Sequence, residues 1–517
     1  MKPEANHPRL DPWPGSRPGS RGGPHMGAAR TERPASVVPT LLDASPRDKL
    51  VSRAYWLLNS AKIASLGLRA RPDRLWGAWR RYPWLRTLLQ VNCLHDRMTR
   101  CRRGRHREAS AIAVSGILSE IVDMLSGVFS RPEATVLHED LVPPEILLAM
   151  NLEPWMPELL GIVLPLVDPP FMEPYIDLAE ESGFPPDLCS LPKATSGLLL
   201  SGQMPPAVAL VTSNMPCDGG MAQYALFEQA LRIPTFRLDV PHNFYDDPAV
   251  AYFAAQLKEL ILWLEERTPG RMDWDRLREV CAERNRAVEH ELELWDLLRA
   301  RPAPLAAEAV YLTHLMFGIG RPGTPRGTEI FRRMAELAAA NLREGKGALE
   351  DERFRAALWN PPTLIFSDLF AWAEPRWGVA LLMDMLTYHR HPFVDLRSPD
   401  TMLRDLARIL MQGPMARHTR GPAANFFGDL FHFTEELSLD MIWMAGHIGC
   451  KNTQALLGMF RELCRKRKLP LLIIDYDLSD TRIVTPAGIR EQVDRFMETV
   501  MRAERLDRGD QGAEPHG

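Results

Sequence analysis

Two cysteines follow short apolar runs that are typical of buried strands. Cys217 comes shortly after residues 207–212, and Cys450 follows residues 439–445 in the segment Gly446-His447-Ile448-Gly449-Cys450. Both precede segments with helical spacing of apolar residues. In open α/β sheets, ligand-binding groups gather at the carboxyl ends of the strands. Two thiols delivered there from distant parts of the chain therefore suggest a shared site, with Cys189 as a third candidate member.

Four kinds of chemistry are open to these cysteines. They could be ligands of an iron–sulfur cluster, ligands of zinc, a single nucleophile, or buried side chains that act as small hydrophobic groups. If only three thiolates bind a cluster, one iron keeps a position open to water or substrate. Catalytic zinc sites have the same arrangement, with three protein ligands and one open position. Zinc is disfavoured because the chain has no Cys-x-x-Cys. Spacing alone favours iron–sulfur ligation only slightly over buried cysteine.

The other four cysteines lie in segments predicted to be helical. Cys281 and Cys464 fall inside apolar helical patterns, so we expect them to be buried. Cys93 and Cys101, with two nearby histidines, imitate a metal site. Their arginine-rich setting argues against one.

The composition is typical of a soluble intracellular enzyme. The chain has 517 residues, 45% hydrophobic and 25% charged, which favours two or more domains. A net charge of -4 gives no general argument for nucleic-acid binding, and seven cysteines do not resemble a disulfide framework. We find no secretory signal and no run of about 18 uncharged apolar residues, so we expect a cytoplasmic protein without a membrane span.

The pattern along the chain predicts an α/β protein with two Rossmann-like domains. We expect parallel sheets, a helical connector and an N-terminal helical extension, because strands alternate with single helices. The expected boundaries are a disordered tail at 1–45, the helical extension at 46–130, a first α/β domain at 131–246, a connector at 247–345, a second α/β domain at 346–506 and a disordered tail at 507–517.

The predicted strands and helices follow from hydrophobic periodicity. Strands are expected at 134–137, 162–167, 207–212, 234–238, 363–366, 379–383, 439–444 and 471–474. Helices are expected at 143–150, 172–182, 221–231, 257–264, 277–298, 329–342, 402–411, 453–466 and 486–501.

An arginine-rich stretch lies within the N-terminal extension, between residues 69 and 107. Trp76, Trp79 and Trp84 lie among its arginines. Such a pattern suits an anion or nucleic-acid surface, or a helix face that docks on the body or on a partner. We favour docking, because the rest of the chain is not basic.

Several segments, in order, resemble the 2-hydroxyacyl-CoA dehydratase and benzoyl-CoA reductase family. The last is His447-Ile448-Gly449-Cys450-Lys451, followed by Leu471-Leu472-Ile473-Ile474-Asp475-Tyr476-Asp477. Earlier matches are Leu141-Val142-Pro143-Pro144-Glu145, Asp187-Leu188-Cys189-Ser190, Cys217-Asp218-Gly219 and Leu238-Asp239-Val240-Pro241. The resemblance covers about residues 134–503, and it is to the D-component type of subunit in particular. The run Leu137-His138-Glu139-Asp140 departs from the family pattern.

The resemblance implies that Cys189, Cys217 and Cys450 hold one [4Fe-4S] cluster between two α/β domains. It also implies a homologous second subunit that forms a heterodimer, and a separate ATP-dependent iron–sulfur activator protein that injects one electron. The chain itself has no Gly-x-x-x-x-Gly-Lys phosphate loop.

The implied activity is a radical elimination of water from a 2-hydroxyacyl-CoA, through a ketyl, to give an enoyl-CoA. The enzyme would be a lyase, and the alternatives are an aromatic-ring reductase of the benzoyl-CoA type and a non-catalytic electron-relay subunit. A metal site at Asp475, Asp477 and Asp480 is less favoured than strand-end hydrogen bonds with Arg482.

Two residues are candidates for acid–base chemistry in this reaction. Glu145 lies at the first strand–helix junction, where a carboxylate could equally stabilise a helix N-terminus. His447 lies three residues before Cys450 and could hydrogen-bond the cluster or donate a proton, or could be a core histidine. Lys451 and Asp218 could tune the cluster or cap helices.

Overall fold

Two parallel sheets form the framework of the computed structural model, which describes residues 45–69, 72–99, 102–214, 217–242, 244–360, 368–387 and 389–506. In this part of the chain each sheet has four strands. The first sheet consists of β1 (Thr135–His138), β2 (Glu153–Trp155), β3 (Ala209–Ser213) and β4 (Thr235–Leu238). The second consists of β5 (Phe354–Trp359), β6 (Val379–Met383), β7 (Met441–His447) and β8 (Leu471–Tyr476).

Helices make up most of the remaining described chain. Those of the N-terminal part are α1 (Pro46–Arg69), α2 (Pro72–Arg81), α3 (Trp84–Thr87), α4 (Val91–Thr99) and α5 (Gly104–Ser130). Those around the first sheet are α6 (Pro144–Ala149), α7 (Glu158–Val167), α8 (Glu173–Glu181), α9 (Ser190–Leu200) and α10 (Asp218–Leu231). Those between the sheets are α11 (Asp247–Arg267), α12 (Trp274–Leu298), α13 (Ala307–His314) and α14 (Pro325–Arg343). Those around the second sheet are α15 (Asp368–Trp377), α16 (Pro399–Gln412), α17 (Ala423–Glu436), α18 (Lys451–Lys466) and α19 (Pro486–Thr499). Two π-helical segments cover Leu315–Gly320 and Met415–Arg420.

The two sheets share one topology. The strand orders are β2-β1-β3-β4 and β6-β5-β7-β8, so in each sheet the first strand pairs with the second on one side and the third on the other. The chain direction across the sheet therefore reverses between β1 and β3, and again between β5 and β7. Ligands of open α/β folds bind outside the carboxyl ends of the strands at such reversals.

The hydrophobic patterns explain why these strands form. Strands β1, β3, β6 and β7 are buried along their whole length, as expected for parallel strands covered on both faces. The predicted α/β class with parallel sheets is confirmed, and most of the predicted strands and helices are present with small shifts in their ends.

One predicted strand is wrong. Residues 162–167 belong to the apolar helix α7, which begins at Glu158 after Pro157. A short apolar run fits a buried helix as well as a buried strand, and periodicity alone does not separate the two. Strands β2 and β5 were not predicted. The strand expected at 363–366 and the tails at 1–44 and 507–517 lie outside the described residues.

Helix α5 lies in the helical layer next to the first sheet. It packs on α1, α4, α13 and α14. By length and composition it could cross a membrane, but 67% of its apolar stretch is buried inside the fold, as in the core helix of a soluble protein. A single helix of this kind is weak evidence for a membrane span.

The arginine-rich stretch docks partly on the body of the protein, as predicted. Arg102 is buried and pairs with Glu308 at 3.2 Å and with Glu374 at 2.5 Å. The indole of the buried Trp84 donates a hydrogen bond to the Gln203 carbonyl at 3.1 Å. Trp76, by contrast, is 61% exposed.

Candidate functional site: three cysteines at helix N-termini

Each of the three motif cysteines immediately precedes a helix. Cys189 is the N-cap of α9, Cys217 of α10 and Cys450 of α18. The Cys217 sulfur accepts a hydrogen bond from the Gly220 amide at 3.3 Å, and the Cys450 sulfur accepts one from the Thr453 amide at 3.5 Å. The positive end of a helix dipole stabilises negative charge, so it would stabilise a thiolate that binds a metal at any of the three positions.

Two glycines let these three helix starts approach one another. A Cβ on Gly449 would lie 2.8 Å from the Cα of Cys189, and one on Gly219 would lie 3.0 Å from the Cγ of Pro192 in the first turn of α9. The segment that carries Cys450 is thus in backbone contact with the segment that carries Cys189. The structure brings together the three cysteines that the sequence selected, from positions around both sheets.

Burial controls the protonation of two of these thiols, Cys189 and Cys217. It raises the pKa of Cys189 well above its usual value, and the neighbouring Cys217 and Cys450 raise it further. Burial likewise raises the pKa of Cys217 to about 12, although the Gly220 amide opposes this. The free thiols of Cys189 and Cys217 therefore stay protonated at neutral pH, and a bound metal would have to displace their protons. A set of three thiols suits a soft metal centre such as iron–sulfur.

His447 is the last residue of β7 and contacts this group. Its Nε2 lies 3.0 Å from the Cys189 sulfur, and its Nδ1 lies 3.7 Å from the Asp477 carboxylate. Burial lowers the pKa of His447, with Asp477 acting in the opposite sense. The ring is therefore placed to hydrogen-bond the sulfur of Cys189, and its contact with a cluster stays a prediction.

Polar contacts join the helix starts across the two sheets. Lys451 pairs with Asp187, two residues before Cys189. Asp218 pairs with Arg420 at 3.2 Å, and the Ser479 amide donates to the Ser190 hydroxyl at 3.1 Å. Lys451 and Asp218 therefore act here as ion-pair partners between segments.

The aspartates after β8 make strand-end hydrogen bonds. Asp477 accepts from the amides of Ser479 and Asp480 at 3.0 and 2.9 Å. Asp480 accepts from the Arg482 guanidinium at 2.9 and 2.8 Å. The predicted pairing with Arg482 is confirmed for Asp480.

A group of buried and half-buried carboxyls next to Cys217 was missed as a functional candidate. Asp140 and Glu139 follow β1 at the reversal point of the first sheet, and Glu158 opens α7. The Tyr224 hydroxyl donates to both Glu158 oxygens at 2.6 and 2.7 Å. Asp140 and Glu158 both act on the charge of Cys217. Glu139 and Asp140 could have been selected from the sequence because they directly follow a predicted buried strand. Glu158 could not, because the incorrect strand at 162–167 concealed the start of helix α7.

Burial brings two of these carboxyls into the range useful for proton transfer. It raises the pKa of Glu158 to about 7, against the hydrogen bond from Tyr224. It raises the pKa of Asp140 to about 6 and that of Glu139 well above the usual value. Groups that titrate near neutrality are suited to act as general acids and bases.

Glu145 lies on the wall of an adjoining pocket. It is buried at the start of α6, and its carboxylate lies 3.2 Å from Arg284 Nε. Burial raises the pKa of Glu145, and Arg284 lowers it. The pocket has a volume of about 100 Å³, and Asp140, Arg284 and His389 line it with Glu145. Residues from both π-helical segments also line it, and π-helical turns occur frequently at functional sites.

The remaining described cysteines lie elsewhere. Cys281 in α12 and Cys464 in α18 are buried, as predicted for small hydrophobic side chains. Cys93 in α4 is exposed. Cys101 lies outside the described residues.

Comparison with known proteins gives consistent matches over most of this chain. The family model of the 2-hydroxyglutaryl-CoA dehydratase D-component matches residues 141–500. One of the benzoyl-CoA reductase subunits of Thauera aromatica is 23% identical over 349 residues, which cover 62% of this chain and 78% of that protein. The (R)-2-hydroxyisocaproyl-CoA dehydratase alpha subunit of Clostridioides difficile is 21% identical over 351 residues, covering 65% and 82%. The lactoyl-CoA dehydratase alpha subunit of Anaerotignum propionicum is 23% identical over 405 residues, covering 71% and 91%.

Proposed function

The chain belongs to the 2-hydroxyglutaryl-CoA dehydratase D-component family, and we propose that it is the iron–sulfur subunit of a 2-hydroxyacyl-CoA dehydratase-like enzyme. The proposed reaction is the radical elimination of water from a 2-hydroxyacyl-CoA to give an enoyl-CoA. The observation that carries the proposal is the convergence of Cys189, Cys217 and Cys450 at three helix N-termini. Each sheet with its helices would form one Rossmann-like domain.

The three cysteines would hold a [4Fe-4S] cluster, and the fourth iron would have no thiolate from this site. Such a cluster, when bound, would supply one-electron transfer and a Lewis-acidic iron for the substrate thioester. The amides of Gly220 and Thr453 would hydrogen-bond the thiolates that hold it. His447 would do the same for Cys189 and so influence the reduction potential.

Carboxyl groups beside the cysteines would carry out proton transfer. Elimination of water requires an acid for the departing hydroxyl and a base for the hydrogen on the next carbon. Asp140 and Glu158 have pKa values raised to about 6 and 7, so each holds or releases a proton near neutral pH. Asp140 also lines the pocket that contains Glu145. We therefore place the acyl group in that pocket, with Glu145 as a further acid–base candidate.

The assembly proposed for this chain follows from its relatives. Each of them is named as one subunit of its enzyme, which supports a multi-subunit complex. We propose a heterodimer with a homologous second subunit, served in the cytoplasm by an ATP-dependent iron–sulfur activator protein.

A benzoyl-CoA reductase-like activity is the second candidate. One observation supports it, since the Thauera aromatica benzoyl-CoA reductase subunit is as similar to this chain as the lactoyl-CoA dehydratase subunit is, each at 23% identity. An electron-relay role without substrate is less favoured, because the pocket adjoins the cysteines through Asp140.

Metal analysis tests the proposal first. After anaerobic purification, about four iron and four acid-labile sulfide per chain are expected, with an electron paramagnetic resonance signal after one-electron reduction. A 2-hydroxyacyl-CoA should perturb the signal of a dehydratase, whereas benzoyl-CoA should perturb that of a reductase. A cluster that responds to neither would indicate a relay, and folded protein without iron would reject the cluster.

A further inference from the structure

A second group of metal-ligand side chains lies beside the same pocket, apart from the cysteines. Glu291 in α12, His314 at the end of α13 and His389 after β6 each offer one ligand atom, all within 4.8 Å of one another. Both histidines line the pocket, and Glu291 is 1% exposed.

The surrounding structure builds this arrangement. His314 Nδ1 lies 2.7 Å from one Glu291 oxygen, and His389 Nε2 lies 2.9 Å from the other. Gly318, in the π-helical segment that follows α13, makes room for the His314 ring, since a Cβ there would lie 2.7 Å from the ring. Asn285 fixes the loop after His389 by hydrogen bonds of 2.8 and 2.9 Å with Val394.

We propose that Glu291, His314 and His389 bind one divalent metal ion, with zinc the best match to two imidazoles and a carboxylate. This donor set is one of those found in catalytic zinc sites, in which a fourth position stays open. Two ligand atoms at about 2.0–2.2 Å from a tetrahedral zinc stand about 3.3–3.6 Å apart. The present separations of 2.7 and 2.9 Å would therefore lengthen by about 0.4–0.9 Å when the ion binds.

The charges around the three residues suit a divalent cation. Glu291 supplies the ligand carboxylate, and the buried Asp384, whose oxygens accept hydrogen bonds from the Leu386 amide and the Thr387 hydroxyl, adds a second acidic group that acts on His314. The nearby Arg284 is paired with Glu145, and that pair contributes no net charge. Arg390, on the exposed side of the pocket, pairs with Asp429 at 3.7 Å. A doubly charged ion would thus be balanced by two carboxylates, and the open position would face the pocket.

This inference does not depend on the proposed dehydratase activity, because no cysteine takes part. The experiment uses the full-length chain carrying Cys189→Ser, Cys217→Ser and Cys450→Ser, which removes thiolate sites for metals. After chelator treatment, Zn²⁺ is titrated by calorimetry and Co²⁺ by visible absorption. We expect one ion per chain, release of a proton on binding, and a Co²⁺ spectrum without thiolate charge-transfer bands.

Single variants locate the ion. Glu291→Gln, His314→Gln and His389→Gln should each weaken Zn²⁺ binding by at least the roughly 10–100-fold that loss of an outer-shell partner costs. His391→Gln is the matched control, because His391 lines the same pocket but bonds to Asp405. It should leave binding unchanged.

Three results would overturn the proposal. They are no Zn²⁺ or Co²⁺ binding by chain that is folded by circular dichroism, undiminished binding in the three variants, or equal loss in His391→Gln. If the triple-serine chain does not fold, the same titrations are made on the cluster-free chain with its cysteines alkylated. If that chain is also unfolded, the zinc content of the native protein is measured after purification under zinc-replete conditions. Less than about one zinc ion per chain would reject the site. Iron and sulfide content, which test the cluster, are independent of all these outcomes.

Discussion

His447 Nε2 lies 3.0 Å from the sulfur of Cys189, although 258 positions separate the two residues in the chain. The contact joins the end of β7 in the second sheet to the helix α9 that precedes β3 of the first. It is therefore a direct link between the halves of the proposed cluster site.

The first prediction concerns this contact. His447→Ala should keep the iron and sulfide content but lower the reduction potential of the cluster, because a hydrogen bond to a ligand sulfur stabilises the more negative reduced state. Potentiometric titration followed by electron paramagnetic resonance measures the change. His432→Ala, at an exposed position in α17, serves as the control. An unchanged potential in His447→Ala would show that the ring does not hydrogen-bond a cluster ligand.

The second prediction concerns the ligand assignment. Cys189→Ala, Cys217→Ala and Cys450→Ala should each lose most of the iron and sulfide, because the remaining two thiolates hold the cluster weakly. Cys93→Ala, at an exposed cysteine in α4, should retain both. A full cluster in any of the first three variants would remove that cysteine from the site.

The third prediction tests the close approach that brings two cysteines together. Gly449→Ala would place a Cβ 2.8 Å from the Cys189 Cα and 2.9 Å from the Leu188 carbonyl. We expect a loss of about 1–3 kcal/mol in the free energy of unfolding and reduced cluster content.

Gly458→Ala is the matched control for Gly449→Ala. It lies in the following helix α18, where a Cβ meets nothing within 4 Å. Alanine should stabilise this helix by up to about 1 kcal/mol without changing iron content. Equal iron content in the two variants, measured per folded chain, would contradict the proposed role of the close approach.

The cysteines could be selected from the sequence because their signals are local. Cys217 and Cys450 each follow a buried apolar run and precede a helix, so each is predicted to lie at the carboxyl edge of the sheet that contains its strand. Their meeting with Cys189 depends on glycine contacts between distant segments, which no local pattern encodes.

The carboxyl group beside the cysteines could not be found in the same way. Glu158 pairs with Tyr224, 66 positions later in the chain, and its pKa follows from burial in the folded protein. The run after Glu158 contains only apolar residues, so it shows no helical periodicity, and the strand predicted there is wrong. The partners of Glu145 and His314 likewise come from α12, whose buried face looked apolar in the sequence.

The fourth prediction is a pH dependence of stability. The pKa of Glu158 is raised from 4.5 to about 7 on folding, so the folded state binds its proton more tightly than the unfolded state. The free energy of unfolding should therefore fall as pH rises from about 4.5 to about 7, by about 3 kcal/mol for this group, and change no further above that range.

Glu158→Gln isolates this contribution. The glutamine is neutral at every pH, so the difference in unfolding free energy between variant and wild type should grow through the same window. Glu139 and Asp140 remain in both proteins, but Glu158 interacts electrostatically with each of them, so the difference reports Glu158 together with its coupling to these two carboxyls. Glu181→Gln, on the exposed end of α8, should show no such trend. Denaturant unfolding at pH 5, 6, 7 and 8 provides the comparison, and parallel curves for wild type and Glu158→Gln would contradict the raised pKa.

The fifth prediction separates a structural from a catalytic role for Glu145. Arg284→Met leaves the buried carboxylate without its partner and should cost about 3–5 kcal/mol in the free energy of unfolding. Glu145→Gln should cost less, because burial already disfavours its charge and Arg284 keeps a hydrogen bond of 2.6 Å to the Pro392 carbonyl.

The double variant Glu145→Gln/Arg284→Met removes both charges and should recover much of the stability lost in Arg284→Met. If Glu145 transfers a proton, turnover of the reconstituted enzyme with its activator should still fall by about 100-fold or more in both Glu145→Gln and the double variant. If Glu145 only holds the fold, turnover should follow stability and recover in the double variant. Turnover per cluster and denaturant unfolding are measured on the same variants. Low turnover in a double variant whose stability has recovered indicates proton transfer by Glu145, whereas recovery of both indicates a structural role.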